Sequence, residues 1–301
     1  MTNANQKANP LPANLRNSKM TVHAMRIFFR GIGTVTPRLG GKLAYNLWFS
    51  PRRRKPRRRP DFLDGASRKL RFEVMGKQVS AWVLGEGPAV LMVHGWEGRT
   101  TQFRQLTAAL LEQGFKVVLF DLPAHGESEG KQTDAEEIRA AMMELERLEG
   151  PFHSAITHSF GAVPLAFAAR EGLKLQNAVM INPPSRFRSM LGLFQKQLSI
   201  PERAMANMRG RIERRLPHLG EGIWQAIDTE ANAAVFDFPG MVISDEDDTV
   251  VPASQGKLIA RAWPGAQLKL TRGLGHSRIL KDPEVIDEVV RQIRISAAAA
   301  V

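Results

Sequence analysis

The chain contains no cysteine. That excludes disulfides, thiol catalysis and cysteine-ligated zinc, and it fits a reducing compartment, so a cytoplasmic protein is expected. No uninterrupted apolar run approaches the ~20 residues needed to cross a bilayer. A charged-then-apolar leader pattern is also missing, and no membrane span is expected. Acidic residues are absent from residues 1–60, which carry fourteen Lys/Arg, whereas the rest of the chain holds 28 basic and 30 acidic side chains. The whole formal net charge of +12 therefore resides in a basic N-terminal arm. Its densest part, Arg52-Arg53-Arg54-Lys55-Pro56-Arg57-Arg58-Arg59, repels itself and reads as a solvated linker or interaction tail. No aromatic interrupts that run, so nothing in it reads bases and a nucleic-acid partner is not expected. Just before it, Phe28, Phe29, Leu47, Trp48 and Phe49 stand among positive charges, a combination suited to an anionic membrane surface contacted through residues 22–59. A helix docked on the domain and an Arg-rich targeting segment fit the same pattern.

At 301 residues the chain has room for one α/β domain of ~240 residues plus extra segments. From Asp61 onward, strand-like and helix-like stretches alternate. Residues 69–74 and 78–84 alternate as a hairpin, and 89–94, 116–121, 152–158, 178–182, 241–244 and 267–271 read as short buried strands. Between them, 100–113, 134–148, 162–170, 253–262 and 283–295 carry apolar residues at helical spacing, which predicts crossovers and a mostly parallel sheet flanked by helices. No internal repeat is present. Between residues 182 and 238 the alternation stops, and helix formers with Met190, Leu193, Phe194, Met205, Met208 and Trp224 predict an inserted helical cap over about 183–238. The expected organisation is thus an arm over 1–60 and a domain over 61–301 that carries the cap.

The chemistry centres on residues 155–161, A-I-T-H-S-F-G. A strand that turns sharply into a helix at a serine is a nucleophile elbow, and the residues two before and two after the serine must be small for strand and helix to approach. Gly161 meets that demand, and Thr157 stands where the motif usually has glycine. A Ser-x-Gly turn is common in unrelated loops, so the context decides: a buried strand precedes Ser159 and a helix of small apolar residues follows it.

A serine nucleophile needs a base, a carboxylate that orients the base, and donors for the oxyanion. In the order nucleophile, acid, base, only His218 and His276 follow Ser159, and only His276 also follows the acidic cluster. It sits in Gly273-Leu274-Gly275-His276, a glycine-flanked loop after the last strand, whereas His218 beside Pro217 reads as a surface residue. Asp245-Glu246-Asp247-Asp248 offers four carboxylates. Asp248 is the first choice because Val250, Val251 and Pro252 follow it as the start of a helix requires, and Asp247 is the alternative. Oxyanion donors are expected from the backbone N–H groups of Phe160, next to the serine, and Trp96 in His94-Gly95-Trp96-Glu97-Gly98. His94 reads as a loop-ordering residue, His158 as a pocket-lining or packing residue, and Asp121-Leu122-Pro123-Ala124-His125-Gly126-Glu127-Ser128 as a turn bracing the same pocket.

In order and spacing, H-G-W-E-G, D-L-P-A-H-G-E-S, T-H-S-F-G, D-D-T-V-V-P and G-L-G-H resemble the α/β-hydrolase superfamily, in its serine-nucleophile, esterase- and lipase-like branch, from about Lys69 to Ile295. The resemblance implies Ser159 as nucleophile, Asp248 as acid, His276 as base, and Trp96 with Phe160 as oxyanion donors, with no cofactor and no metal. It implies hydrolysis of a small acyl ester or thioester through an acyl-enzyme. Cofactor-free haloperoxidase or carbon–carbon hydrolase chemistry and a non-catalytic binding protein of the same fold are the alternatives, because this fold hosts many reactions.

Overall fold

Strands covered by helices on both faces must be apolar at nearly every position, and this requirement shapes the centre of the molecule. The computed structural model describes residues 19–53, 62–217 and 219–298. In chain order it comprises α1 (Lys19–Val35), α2 (Pro37–Phe49), β1 (Arg68–Val74), β2 (Lys77–Leu84), β3 (Ala89–Val93), α3 (Arg104–Glu112), β4 (Lys116–Phe120), α4 (Ala135–Glu149), β5 (Phe152–His158), α5 (Ala162–Arg170) and β6 (Asn177–Ile181). An insertion of α6 (Phe187–Leu198), α7 (Glu202–Glu213), α8 (Ile223–Ala226) and α9 (Thr229–Ala233) follows, then β7 (Gly240–Asp245), α10 (Ala253–Ala262), β8 (Gln267–Thr271), α11 (Gly275–Arg278) and α12 (Pro283–Ala298).

The strands form one sheet in the order β1-β2-β4-β3-β5-β6-β7-β8. The β1–β2 and β2–β4 pairs are antiparallel and all others parallel. Every residue of β3, β5, β6 and β7 is buried. Alternation divides the core: Leu91, Val93, Val118 and Phe120 face α4 and α5 with Ile138, Met142 and Val163, while Val90, Met92, Val117 and Leu119 face α3 and α12 with Leu106, Leu110, Val289 and Ile293. The strand order reverses at β3, flanked by β4 and β5, which is where open α/β sheets keep a crevice at the carboxyl ends of their strands.

The described part of the arm is not a solvated tail. Phe29, Ala44 and Phe49 are buried, and Trp48 stacks edge-on against Phe187 (5.8 Å) and Phe194 (4.9 Å) of α6. A Cβ added to Gly41 would lie 2.6 Å from the Ala204 carbonyl oxygen, and one added to Gly33 would lie 2.7 Å from Pro201, so these glycines let the helix pair press directly on α7. Each large apolar side chain removed from water contributes ~1.5–3 kcal/mol, more than exposed like charges oppose. Residues 19–53 therefore pack against the helical insertion. The end of α2 is also tied to the loops after β3 and β4, where Arg52 N donates to Glu97 Oε1 (3.4 Å), Arg53 donates to the Ser128 carbonyl, and Thr133 N donates to the Phe49 carbonyl (3.1 Å). His218 and residues 54–59 of the basic run lie outside the described residues.

Candidate active site

β5 delivers the elbow. The strand is buried throughout and runs straight into Ser159, whose φ of +53° is a left-handed conformation that a non-glycine residue adopts at a cost of ~1 kcal/mol or more. Gly161 has no room for a side chain, since an added Cβ would sit 2.5 Å from the Val93 carbonyl oxygen and 2.9 Å from that of His94. Thr157 fits because it is a strand residue, paired with Val93 and Met180 and fully buried.

The loop after β3 crosses over this elbow. A Cβ on Gly95 would fall 2.9 Å from Ser159 Cβ and 3.1 Å from the His158 carbonyl oxygen, so only glycine permits the approach. The next residue, Trp96, meets Phe160 edge-on at 5.2 Å. The two residues expected to offer oxyanion amides thus stand against each other, each next in sequence to a residue at the elbow.

Two buried histidines hold this loop. His94 Nδ1 faces the Gly95 carbonyl (2.8 Å) and must donate, which leaves Nε2 to accept the Leu122 amide (3.1 Å). His125 Nδ1 donates to the Pro123 carbonyl (3.0 Å) while Nε2 accepts the Glu97 amide (3.1 Å). Both rings use one nitrogen as donor and one as acceptor, which requires the neutral imidazole. Burial agrees with this, lowering His94 to about 4 and His125 to about 3. Asp121 completes the brace, with Oδ1 accepting from Thr100 N and Oγ1 and Oδ2 accepting from Glu127 N.

On the other side of the elbow, the loops after β7 and β8 meet. Asp248 is completely buried; its Oδ1 accepts the Val250 (2.7 Å) and Val251 (3.0 Å) amides, and its Oδ2 lies 2.7 Å from His276 Nδ1. Asp247 accepts the Gly273 amide instead. Asp245, at the end of β7, is buried and accepts from Thr271 Oγ1 (2.8 Å) and from the amides of Asp247, Leu274 and Gly275. Burial alone would raise its pKa, but these hydrogen bonds outweigh it and hold the carboxyl below its usual value. The His276 carbonyl oxygen accepts from His158 Nε2 (2.7 Å) and Asn182 Nδ2 (3.4 Å), and Asn182 Oδ1 accepts the Asp245 amide (2.9 Å). Burial lowers His158 to about 3, and its ring lies 4.8 Å from that of His276. Ser159 and His276 make no direct hydrogen bond with each other; His158 links the elbow to the histidine loop.

A family model described as the alpha/beta hydrolase family matches residues 90–289. The chain belongs to that family. Among curated proteins, this hydrolase is 20% identical to a monoacylglycerol lipase of Xenopus laevis over 249 residues, 66% of this chain and 73% of that one. Among solved structures, the hydrolase superposes on an esterase of Pyrococcus furiosus with a TM-score of 0.60 at 19% identity, covering 81% of this chain and 98% of that one. It matches a bromoperoxidase of Bacillus anthracis with a TM-score of 0.59 at 14% identity, covering 75% of this chain and 99% of that one.

Of the residues singled out in the sequence, the hydrolase brings together Ser159, Trp96 and Phe160 at the elbow and Asp248 with His276 beside it. His125 braces the pocket as its turn was expected to, while Asp245, Asn182 and the Nε2 of His158 perform structural work that the sequence alone did not assign. Asp245 is there one of four carboxylates in a row, and it is completely buried. The usable signal was position, because Asp245, Asn182 and His158 stand at or just beyond the carboxyl end of a strand.

Proposed function

We propose that this alpha/beta hydrolase cleaves carboxylic esters or thioesters through an acyl-enzyme. Ser159 Oγ attacks the acyl carbonyl carbon while His276 Nε2 takes its proton, and Asp248 holds the Nδ1–H and offsets the imidazolium charge. The Trp96 and Phe160 amides stabilise the developing oxyanion. His276 then returns the proton to the leaving alcohol or thiol, and a water activated by the same imidazole hydrolyses the acyl-enzyme, releasing the acid and regenerating Ser159. The helical insertion caps the acyl-binding side.

The observation that carries this reading is the 2.7 Å contact between Asp248 Oδ2 and His276 Nδ1, made beside a serine in a strained elbow. The esterase and lipase likenesses support an ester substrate. The bromoperoxidase likeness favours cofactor-free haloperoxidase chemistry as a second reading, which would use the same serine and histidine. The test is a panel of p-nitrophenyl esters of graded chain length together with a fluorophosphonate probe. Hydrolysis and probe labelling, both lost in Ser159→Ala, are expected. A protein that neither turns over any ester nor labels would sink the proposal.

A further inference from the structure

Helix α1 has two apolar faces, and the domain covers one of them. Val22, Met25, Phe29, Ile32 and Gly33 point inward, with Phe29 and Gly33 buried and the others partly so. Met20, Ala24, Ile27, Phe28, Gly31 and Val35 recur at i, i+4, i+7, i+8, i+11 and i+15, a second stripe on the opposite side, and all six are exposed. The exposure is large: 84% for Met20, 64% for Ile27, 49% for Phe28 and 80% for Val35. Scattered surface apolar residues need no explanation, but a continuous stripe along a docked helix marks an interaction surface.

Its surroundings are mostly basic. Residues 19–53 contain Lys19, Arg26, Arg30, Arg38, Lys42, Arg52 and Arg53 and no Asp or Glu. Arg26 and Arg30 form a row along one flank of the stripe. Arg38 and Lys42 are exposed on α2 beside Leu39, itself 44% exposed. The adjoining α6 adds exposed Leu193 and Lys196 and has no acidic residue. An apolar stripe edged by a basic row is the pattern of a helix lying in a lipid interface, its apolar side among the acyl-chain ends and its cations at the phosphates. Among the described residues no helix is long and apolar enough to cross a membrane.

We propose that the outer face of α1 docks this protein on an anionic lipid surface, with Ile27 and Phe28 at its centre and Arg30, Arg38 and Lys42 at the headgroups. Self-association through the same stripe is disfavoured because it would bring two mostly basic rims together, and the adjoining carboxylate of Glu202 is already bound by Arg209 and Gln195. Of the aromatic residues the sequence singled out, only Phe28 is free to insert, since Phe29, Trp48 and Phe49 are occupied in packing against the insertion. This docking stands apart from the hydrolytic chemistry.

The test sediments the full-length chain with vesicles of phosphatidylcholine alone or mixed with phosphatidylglycerol. Binding to the mixed vesicles only is expected, weakening as salt shortens the screening length to ~8 Å and below. Ile27→Glu with Phe28→Glu should weaken binding by about tenfold or more, and Ile27→Ser with Phe28→Ser by less. Both pairs should leave melting and turnover of a soluble ester unchanged. Arg30→Gln with Arg38→Gln and Lys42→Gln should weaken binding and flatten its salt dependence. Three results would overturn the proposal: no vesicle binding by the wild-type chain, equal binding by the Ile27→Glu, Phe28→Glu variant, or a wild-type dimer that this variant turns into monomers.

Discussion

His158, the residue just before the elbow serine, donates from Nε2 to the backbone carbonyl of His276 at 2.7 Å. The strand that presents the proposed nucleophile therefore also holds the loop that presents the proposed base. If this bond positions the imidazole, His158→Leu should lower kcat/KM by about 10–100-fold, since misplacement by about 1 Å can cost 10²-fold. His158→Gln, which keeps a donor, should recover part of the loss. The acid limb of the pH–rate profile is the discriminating readout: a purely packing role would leave its midpoint in place, and wild-type activity in the leucine variant would refute the link.

Ser159→Ala should abolish hydrolysis, with a loss on the order of 10⁴-fold or more, while the fold survives. Ser159→Gly should be equally inactive yet more stable by about 1 kcal/mol, because glycine adopts the φ of +53° without strain. A lower melting temperature for the glycine variant would contradict the strain reading.

The carboxylates should separate cleanly. Asp248→Asn removes the partner of the His276 ring and should cost about 10⁴-fold in kcat. Asp247→Asn, which loses only a contact to the Gly273 amide, should stay within a few-fold of wild type. Asp245→Asn should lower thermal stability as well as activity, because the buried carboxylate accepts from Thr271 and three backbone amides. Equal kinetic losses at 247 and 248 would leave the acid unassigned.

Acid should unfold the protein through its buried histidines. In the unfolded chain these rings titrate near 6.5; folded, burial lowers His94 to about 4 and His125 and His158 to about 3. Between those values the unfolded state binds protons that the folded state does not, so stability is complete above pH ~6.5 and falls as the pH drops towards 3. Urea melts across pH 4–7 should show uptake of up to about three protons on unfolding from these rings. A flat profile would show that they are not buried and neutral.

Gly95→Ala places a methyl 2.9 Å from Ser159 Cβ and must displace the loop that carries Trp96. Activity should drop by about tenfold or more with only a modest change in melting temperature. Unchanged kinetics would mean that the loop and the elbow are not mechanically coupled.

The parallel sheet was legible because its strands are short, mostly apolar runs separated by helical patterns, and the observed bounds fall within a residue or two of those expected. The elbow, the Trp96 loop and the choice of Asp248 over Asp247 for the contact with His276 were legible because side-chain chemistry and strand-end position coincide there. The docking of α1 and α2 was one alternative among three. Their charge argues for solvent, and only the mating of Gly33, Gly40 and Gly41 with Pro201 and Ala204 shows how closely they fit. Asp245 and Asn182 were hidden for a different reason: they act through backbone amides, which carry no residue identity in a sequence.

The contact between α2 and α7 also constrains the order of assembly. Gly41 meets Ala204 and Asn207, residues made only after six strands of the sheet. At synthesis rates of ~5–20 residues per second, the helix pair waits on the order of ten seconds for its partner to leave the ribosome. Until then α1 and α2 lack the insertion they pack on, so this helix pair is among the last parts of the chain to settle. The nascent protein passes through a stage with six of the eight strands made and an undocked, positively charged helix pair, the stage at which it is most exposed to capture by chaperones or to aggregation.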